Sequence, residues 1–219
     1  GVALAGGRVV NFTAGQGLIL MKEVLHVISG KRLPAVFHVG ARALTSQALN
    51  IHAGHDDLMA VADTGWGMLV ARNAQEAADL TAIARRVAEA VETPFFVAQD
   101  GFLTTHTLEN VLLPEKEFMA EYMGRPQDRV LNLFDVDHPM MTGVVQDQDS
   151  YMKGKIAQRH YYVHMKPAVI EAMKTFSAAT GRPCTSAPSR SSPDAGRGSA
   201  SSTSRTGTTG PGTSAASAP

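Results

Sequence analysis

Among its 219 residues the sequence has one cysteine, Cys184. That excludes an internal disulfide framework and any cysteine-held iron–sulfur cluster within the chain. Charge of one sign is not in excess: Lys and Arg number 20, as do Asp and Glu. No basic or acidic run points to nucleic acid or to a membrane surface. No apolar stretch is long enough to span a bilayer, and no charged-then-apolar leader marks export. The expected setting is therefore the cytoplasm. Catalytic signatures are scarce too. There is no G-x-S-x-G nucleophile elbow, no G-x-G-x-x-G dinucleotide turn and no G-K-[ST] phosphate loop.

What is present divides near Pro183. Before it, hydrophobic residues recur every few positions, in a number suited to one domain of ordinary size. Residues 184–219 contain no Val, Ile, Leu, Met or aromatic residue and neither Lys nor Glu. Such a segment cannot bury enough surface to offset its ordering entropy, so it reads as a disordered Ser/Gly/Pro/Thr tail. Its alphabet is also what a GC-rich gene read out of frame yields, and the tail is set aside from the fold on either account.

The body, 1–183, alternates strand and helix. Residues 1–7, "GVALAGG", read as the small-residue end of a helix. "RVVNFTA" reads as a buried strand, "GQG" as a tight turn, and Leu18 to Ser29 as a helix with Gly30 just past its end. "LPAVFHV", "GMLVAR" and "FFVA" are further short apolar strands, as expected of a parallel sheet covered on both faces. Asn73 starts a helix with Glu76 three residues on, and Ala77, Leu80, Ala84, Val87 and Val91 share one face of it. "PEKEFMAEYMG" is a short helix. Residues 125–150 read as a long polar loop, functional or packed on another subunit. A last helix runs from Pro167 to Thr180 with Gly181 as its cap. The strand expected after it is missing. The fold class is a doubly wound, mostly parallel α/β sheet, incomplete at both ends.

Three stretches could carry chemistry. "FTAGQG" places glycines at a strand-to-helix junction, where backbone N–H groups can face an anion or simply allow the turn. Arg42 follows the second strand at its carboxyl end, where such sheets bind ligands, and could clamp a carboxylate or serve as a cap or an Asp partner. "NIHAGHDD" concentrates His52, His55, Asp56 and Asp57, a set that could ligate a metal or form a polar turn. Trp66, in "DTGW", reads as a packing residue.

The blocks "NFTAGQGLILMKEVLHVISGKRLPAVFHVGARAL", "IHAGHDDLMAVADTGWGML", "NAQEAADLTAIARRVAEAVETPFFVAQDGFLTTHTLENV" and "ATGR" together resemble the N-terminal domain of the pyruvate:ferredoxin (flavodoxin) oxidoreductases. The resemblance runs in order from Gly1 to about Pro183. Other 2-oxoacid:ferredoxin oxidoreductases share the architecture. The resemblance implies a thiamine fold of the pyrimidine-binding type in an enzyme using thiamine diphosphate and Mg²⁺. Such an enzyme cleaves pyruvate, forms acetyl-CoA and CO₂ with coenzyme A, and passes electrons through [4Fe-4S] clusters to ferredoxin or flavodoxin. It implies a homodimer in which this domain works against the enzyme's other domains. The family's "ARA" arginine, which holds the pyruvate carboxylate, maps to Arg42. Thr13, Gly15, Gln16 and Gly17 are then expected near the cofactor.

The family's "YPITP"-like turn and the glutamate that bonds the aminopyrimidine precede this stretch. The motif for Mg²⁺ and the cluster cysteines lie in later domains. The chain is thus expected to be a piece of such an enzyme, with no catalytic or metal-binding residue of its own and no activity alone. A stand-alone, non-enzymatic α/β binding module and a His/Asp metal hydrolase are the competing readings.

Overall fold

The computed structural model describes residues 1–184; from residue 185 on, the reading of the tail lies outside the described residues. Four strands form one parallel sheet: β1 (Val10–Ala14), β2 (Val36–Ala41), β3 (Gly67–Val70) and β4 (Phe95–Asp100). Their order is β1-β2-β4-β3, so β4 inserts between its two predecessors. Val36 pairs with Phe95, and Val10 with Val36, which aligns the carboxyl ends of β1, β2 and β4.

Strand alternation sorts the apolar residues onto two faces. On one, Val36, Phe95 and Val97 pack against Leu80, Ile83 and Val87 of α4 (Ala74–Ala90) and Phe176 of α7 (Arg159–Thr180). On the other, Phe37, Val39, Phe96 and Ala98 meet Leu18, Leu25, Leu58 and Trp66. These come from α1 (Gln16–Leu20), α2 (Lys22–Gly30), α3 (Asp56–Ala60) and the turn before β3. Trp66 is a packing residue: its ring stacks on Phe96 at 4.3 Å, and its indole N–H donates to the Leu25 carbonyl at 2.9 Å. The α4 start follows the expected cap, with Asn73 Oδ1 accepting from Glu76 N. Glu76 reaches back not to Asn73 but to the N–H of Arg72.

Several elements differ from the sequence expectation. β1 is an edge strand rather than a buried one, with Phe12 74% exposed and Val10 53%. Apolar content does not distinguish an edge from a centre, and α4 packs chiefly over β2, β3 and β4. The expected helix from Leu18 to Ser29 is two helices that part at Met21. Gly30 lies within the last turn of α2, and the left-handed position falls to Arg32 at φ 59°. Residues 1–7 are turns rather than a helix end; Ala5 bridges Asn132, and the N–H of Leu133 donates to Leu4. The long segment after α5 (Lys116–Met123) holds a 3₁₀ turn at Pro126–Asp128 and leads into α6 (Gln148–Ala157). α7 begins at Arg159, so Pro167 sits inside it and not at its start. No helix among the described residues is long and apolar enough to cross a membrane.

Two outcomes follow from the packing. Gly67 lies so close to Phe95 that an added methyl would overlap the ring. Gly67→Ala should destabilise the chain by about 1–3 kcal/mol in urea unfolding; an unchanged midpoint would mean the ring is free to move. His38 stacks on Phe12 at 4.8 Å, and burial, then the charge of Arg85, lower its pKa. The unfolded chain therefore binds this proton at higher pH than the folded one. Stability should be full above the ordinary histidine range and fall as pH drops below about 6.5. Thermal unfolding of His38→Gln against the unsubstituted chain checks this, since the substitution should flatten the dependence below about pH 6.5.

Candidate functional site at the carboxyl ends of the strands

The last residues of β1 and β2 are joined through a buried carboxylate. Asp57 is fully buried at the start of α3. Its Oδ2 accepts from the backbone N–H of Gly15 at 2.9 Å and of Arg42 at 3.2 Å, while Oδ1 accepts from Leu58 N at 2.8 Å. A carboxylate held by several N–H groups is a strong junction in a low-dielectric place. It ties three segments that are distant in sequence: the β1–α1 turn, the end of β2 and the first turn of α3.

This changes the reading of "FTAGQG". The N–H of Gly15 already has its anion, supplied by the protein itself, and the helix that follows has only 5 residues. The glycines serve geometry. Gly15 takes φ 49°, a left-handed conformation open to glycine. A methyl at Gly17 would stand 2.8 Å from Thr13 Oγ1, so the hydroxyl would have to turn away to admit one. The amide of Gln16 donates to Thr45 Oγ1 at 3.0 Å. The structure thus brings Gly15 beside Arg42, with Thr13, Gln16 and Gly17 in the same strand-to-helix segment.

Arg42 has its backbone fixed and its side chain unspent. Its N–H goes to Asp57, and it bridges Ala53 in antiparallel fashion. Its stem lies against Gly101, where an added methyl would come within 2.7 Å of Arg42 Cγ. Yet Nε is buried with no hydrogen-bond partner, and the guanidinium makes no ion pair among the described residues. A buried charged donor without an acceptor is costly, and an oxyanion satisfies it. Arg32 also has a buried, unpartnered Nε, but its guanidinium is taken up by Tyr161, Ser29 and Thr93 at the opposite end of the sheet.

The other histidines and aspartates do not converge on one point. His55 Nε2 faces Asp100 Oδ1 at 3.2 Å, and Asp56 accepts from Leu44 N. The His52 ring meets the edge of Phe102, which stacks in turn on His106. Asp57 is occupied by main-chain donors and unavailable to a metal. Phe102 holds φ 76°, a strained value for a side-chain-bearing residue. Sequence reasoning missed both the carboxylate's structural role and the packing of Gly101; only the position of "DG" just after a strand hinted at the latter. A cleft of about 1050 Å³ lies at the amino ends of the strands near Arg32, Pro34 and Tyr161, and none of the expected site residues line it.

A sequence profile of the family described as "Pyruvate flavodoxin/ferredoxin oxidoreductase, thiamine diP-bdg" matches residues 1–174. The chain belongs to this family. It is 38% identical over 184 residues to a pyruvate-flavodoxin oxidoreductase of Klebsiella pneumoniae, covering 83% of this chain and 16% of that one. A pyruvate:ferredoxin oxidoreductase of Moorella thermoacetica is 35% identical with the same coverage. The pyruvate synthase subunit PorA of Thermotoga maritima is 36% identical, with 46% of its length covered. The chain therefore spans under half the length of these family members. Among solved structures, a 2-oxoglutarate:ferredoxin oxidoreductase from Magnetococcus marinus superposes with a TM-score of 0.42 at 24% identity, over 47% of this chain and 19% of that one.

Asp57→Ala would leave three backbone N–H groups without their acceptor. At about 1 kcal/mol or more for each, the chain should lose on the order of 3 kcal/mol of stability. Asp57→Asn retains an oxygen for Gly15 and Arg42 and should lose less than half of that. Urea unfolding of both variants checks the order; equal losses would contradict it.

Proposed function

We propose that these residues form the pyrimidine-side thiamine diphosphate domain of a pyruvate:ferredoxin or pyruvate:flavodoxin oxidoreductase, and that Arg42 holds the substrate carboxylate. The buried, unpartnered Nε of Arg42 at the carboxyl end of β2 is the observation that carries this reading. The complete enzyme would convert pyruvate and coenzyme A to acetyl-CoA and CO₂ and pass two electrons to the carrier.

Thiamine diphosphate, when bound, supplies the electron sink for breaking the bond between the carboxylate and the ketone carbon. Thr13, Gly15, Gln16 and Gly17 would line it, and the side-chain-free turn at Gly15 and Gly17 suits a flat ring set against backbone. Mg²⁺ and the [4Fe-4S] clusters would be held by the enzyme's other domains, as the family resemblance implies.

The part of this chain is positioning. A planar guanidinium can take a carboxylate in a two-point grip and fix its rotation about the bond that breaks. As that bond lengthens, negative charge leaves the carboxylate and neutral CO₂ forms. Arg42 therefore attracts the bound substrate more than the transition state, and the grip loosens as product forms. By this logic its contribution is mainly to binding. Asp57 and Gly101 hold Arg42 in register. We also read the working form as a homodimer in the cytoplasm, the latter supported by the single cysteine.

In the complete enzyme, Arg42→Gln should raise KM for pyruvate about 10- to 100-fold, the worth of a charge-assisted hydrogen bond, with a smaller change in kcat. Steady-state kinetics at varied pyruvate check this. An unchanged KM would remove Arg42 from the substrate site.

A further inference from the structure

α7 runs on through Pro167, which has no N–H to give to the Val163 carbonyl one turn earlier. The helix before Pro167 is thus joined to the remainder across a weakened turn. That first part is tied to the turns that precede β3 and follow α2. Tyr162 Oη donates to the Gly65 carbonyl at 3.3 Å, and the Arg32 guanidinium lies 4.2 Å from the Tyr161 ring centre.

His160 and His164 stand on this same stretch, both exposed and four residues apart. Their ring centroids are 5.0 Å apart, and neither ring makes a hydrogen bond among the described residues. No carboxylate pairs with either of them there. Two imidazoles at i and i+4 share one helix face, the spacing that helical zinc motifs use to bring two ligands to one ion.

We propose that His160 and His164 form a binding site for Zn²⁺ or a similar imidazole-preferring divalent metal, and that the bound ion staples the turn 160–164, next to the one weakened by Pro167. Water fills the other coordination positions, since the protein supplies two ligands. Hard cations such as Mg²⁺ and Ca²⁺ find no oxygen ligands at the pair and are not bound. The site shares no residue with the one around Arg42 and lies on a different element. By linking neighbouring turns the ion favours the helical state of residues 159–166, and through Tyr161 and Tyr162 it secures the attachment of α7 to Arg32 and Gly65.

The test is calorimetric titration of the purified 219-residue chain with ZnCl₂, with MgCl₂ as the control. The expected result is one Zn²⁺ site that weakens at least about 10-fold in either His160→Gln or His164→Gln, since even outer-shell partners of a metal carry that much. Both side chains are exposed, so the variants should fold. Zn²⁺ should also raise the unfolding temperature of the unsubstituted chain alone and slow amide exchange across residues 159–166. Affinity unchanged in both variants would assign the metal to other histidines and overturn the site. Binding lost in the variants with no exchange effect in the unsubstituted chain would overturn the staple.

Discussion

The buried carboxylate of Asp57 is the constraint on which the carboxyl end of this sheet depends. Parallel strands meet their ligands where they end, and there the backbone leaves the hydrogen-bond ladder and needs new partners. Gly15 leaves β1 and Arg42 leaves β2 within one residue of the same level, because Ala14 pairs with Gly40. One oxygen of Asp57 accepts from both departing chains. Without it, two buried donors would lie unmatched at the point where the fold needs rigidity.

Economy of charge gives the site its character. Arg42 and Asp57 are neighbours, yet the carboxylate spends itself on main-chain N–H groups and leaves the guanidinium without an ion pair among the described residues. Had the two side chains formed an ion pair, the arginine would be neutralised and unavailable to a substrate. Gly101 adds the second restraint, since only a residue without a side chain allows the β4 exit to lie against Ala41 and Arg42. A clamp for a small carboxylate needs both conditions: a fixed stem and a free head.

Much of this architecture is legible in the sequence, and the failures have physical causes. Short apolar runs and the Asn73 cap mark the strands and α4, because each is dictated by nearby residues. Which strand lies at the edge depends on where distant helices pack, so the exposure of Val10 and Phe12 could not be read from their apolarity. Pro167 signals a helix start by local rules, yet tertiary contacts at Tyr161, Tyr162 and Met173 carry the helix through it. At the site, Arg42 is visible by its place after a strand, and the role of Asp57 is not. An aspartate among histidines suggests a metal, and only the three-dimensional path of β1 and β2 reveals that its partners are amides. The family blocks pointed to the residues; the geometry shows what holds each of them in place.

The central claim is that Asp57 fixes the main chain so that Arg42 can present an unpaired guanidinium to a substrate carboxylate. A crystal structure of the complete enzyme with pyruvate bound tests it most directly. The account predicts the pyruvate carboxylate within about 2.7–3.1 Å of the Arg42 guanidinium, with Asp57 still accepting from Gly15 and Arg42. A carboxylate bound away from Arg42, or Arg42 turned into an ion pair with an acid of its own protein, would contradict it.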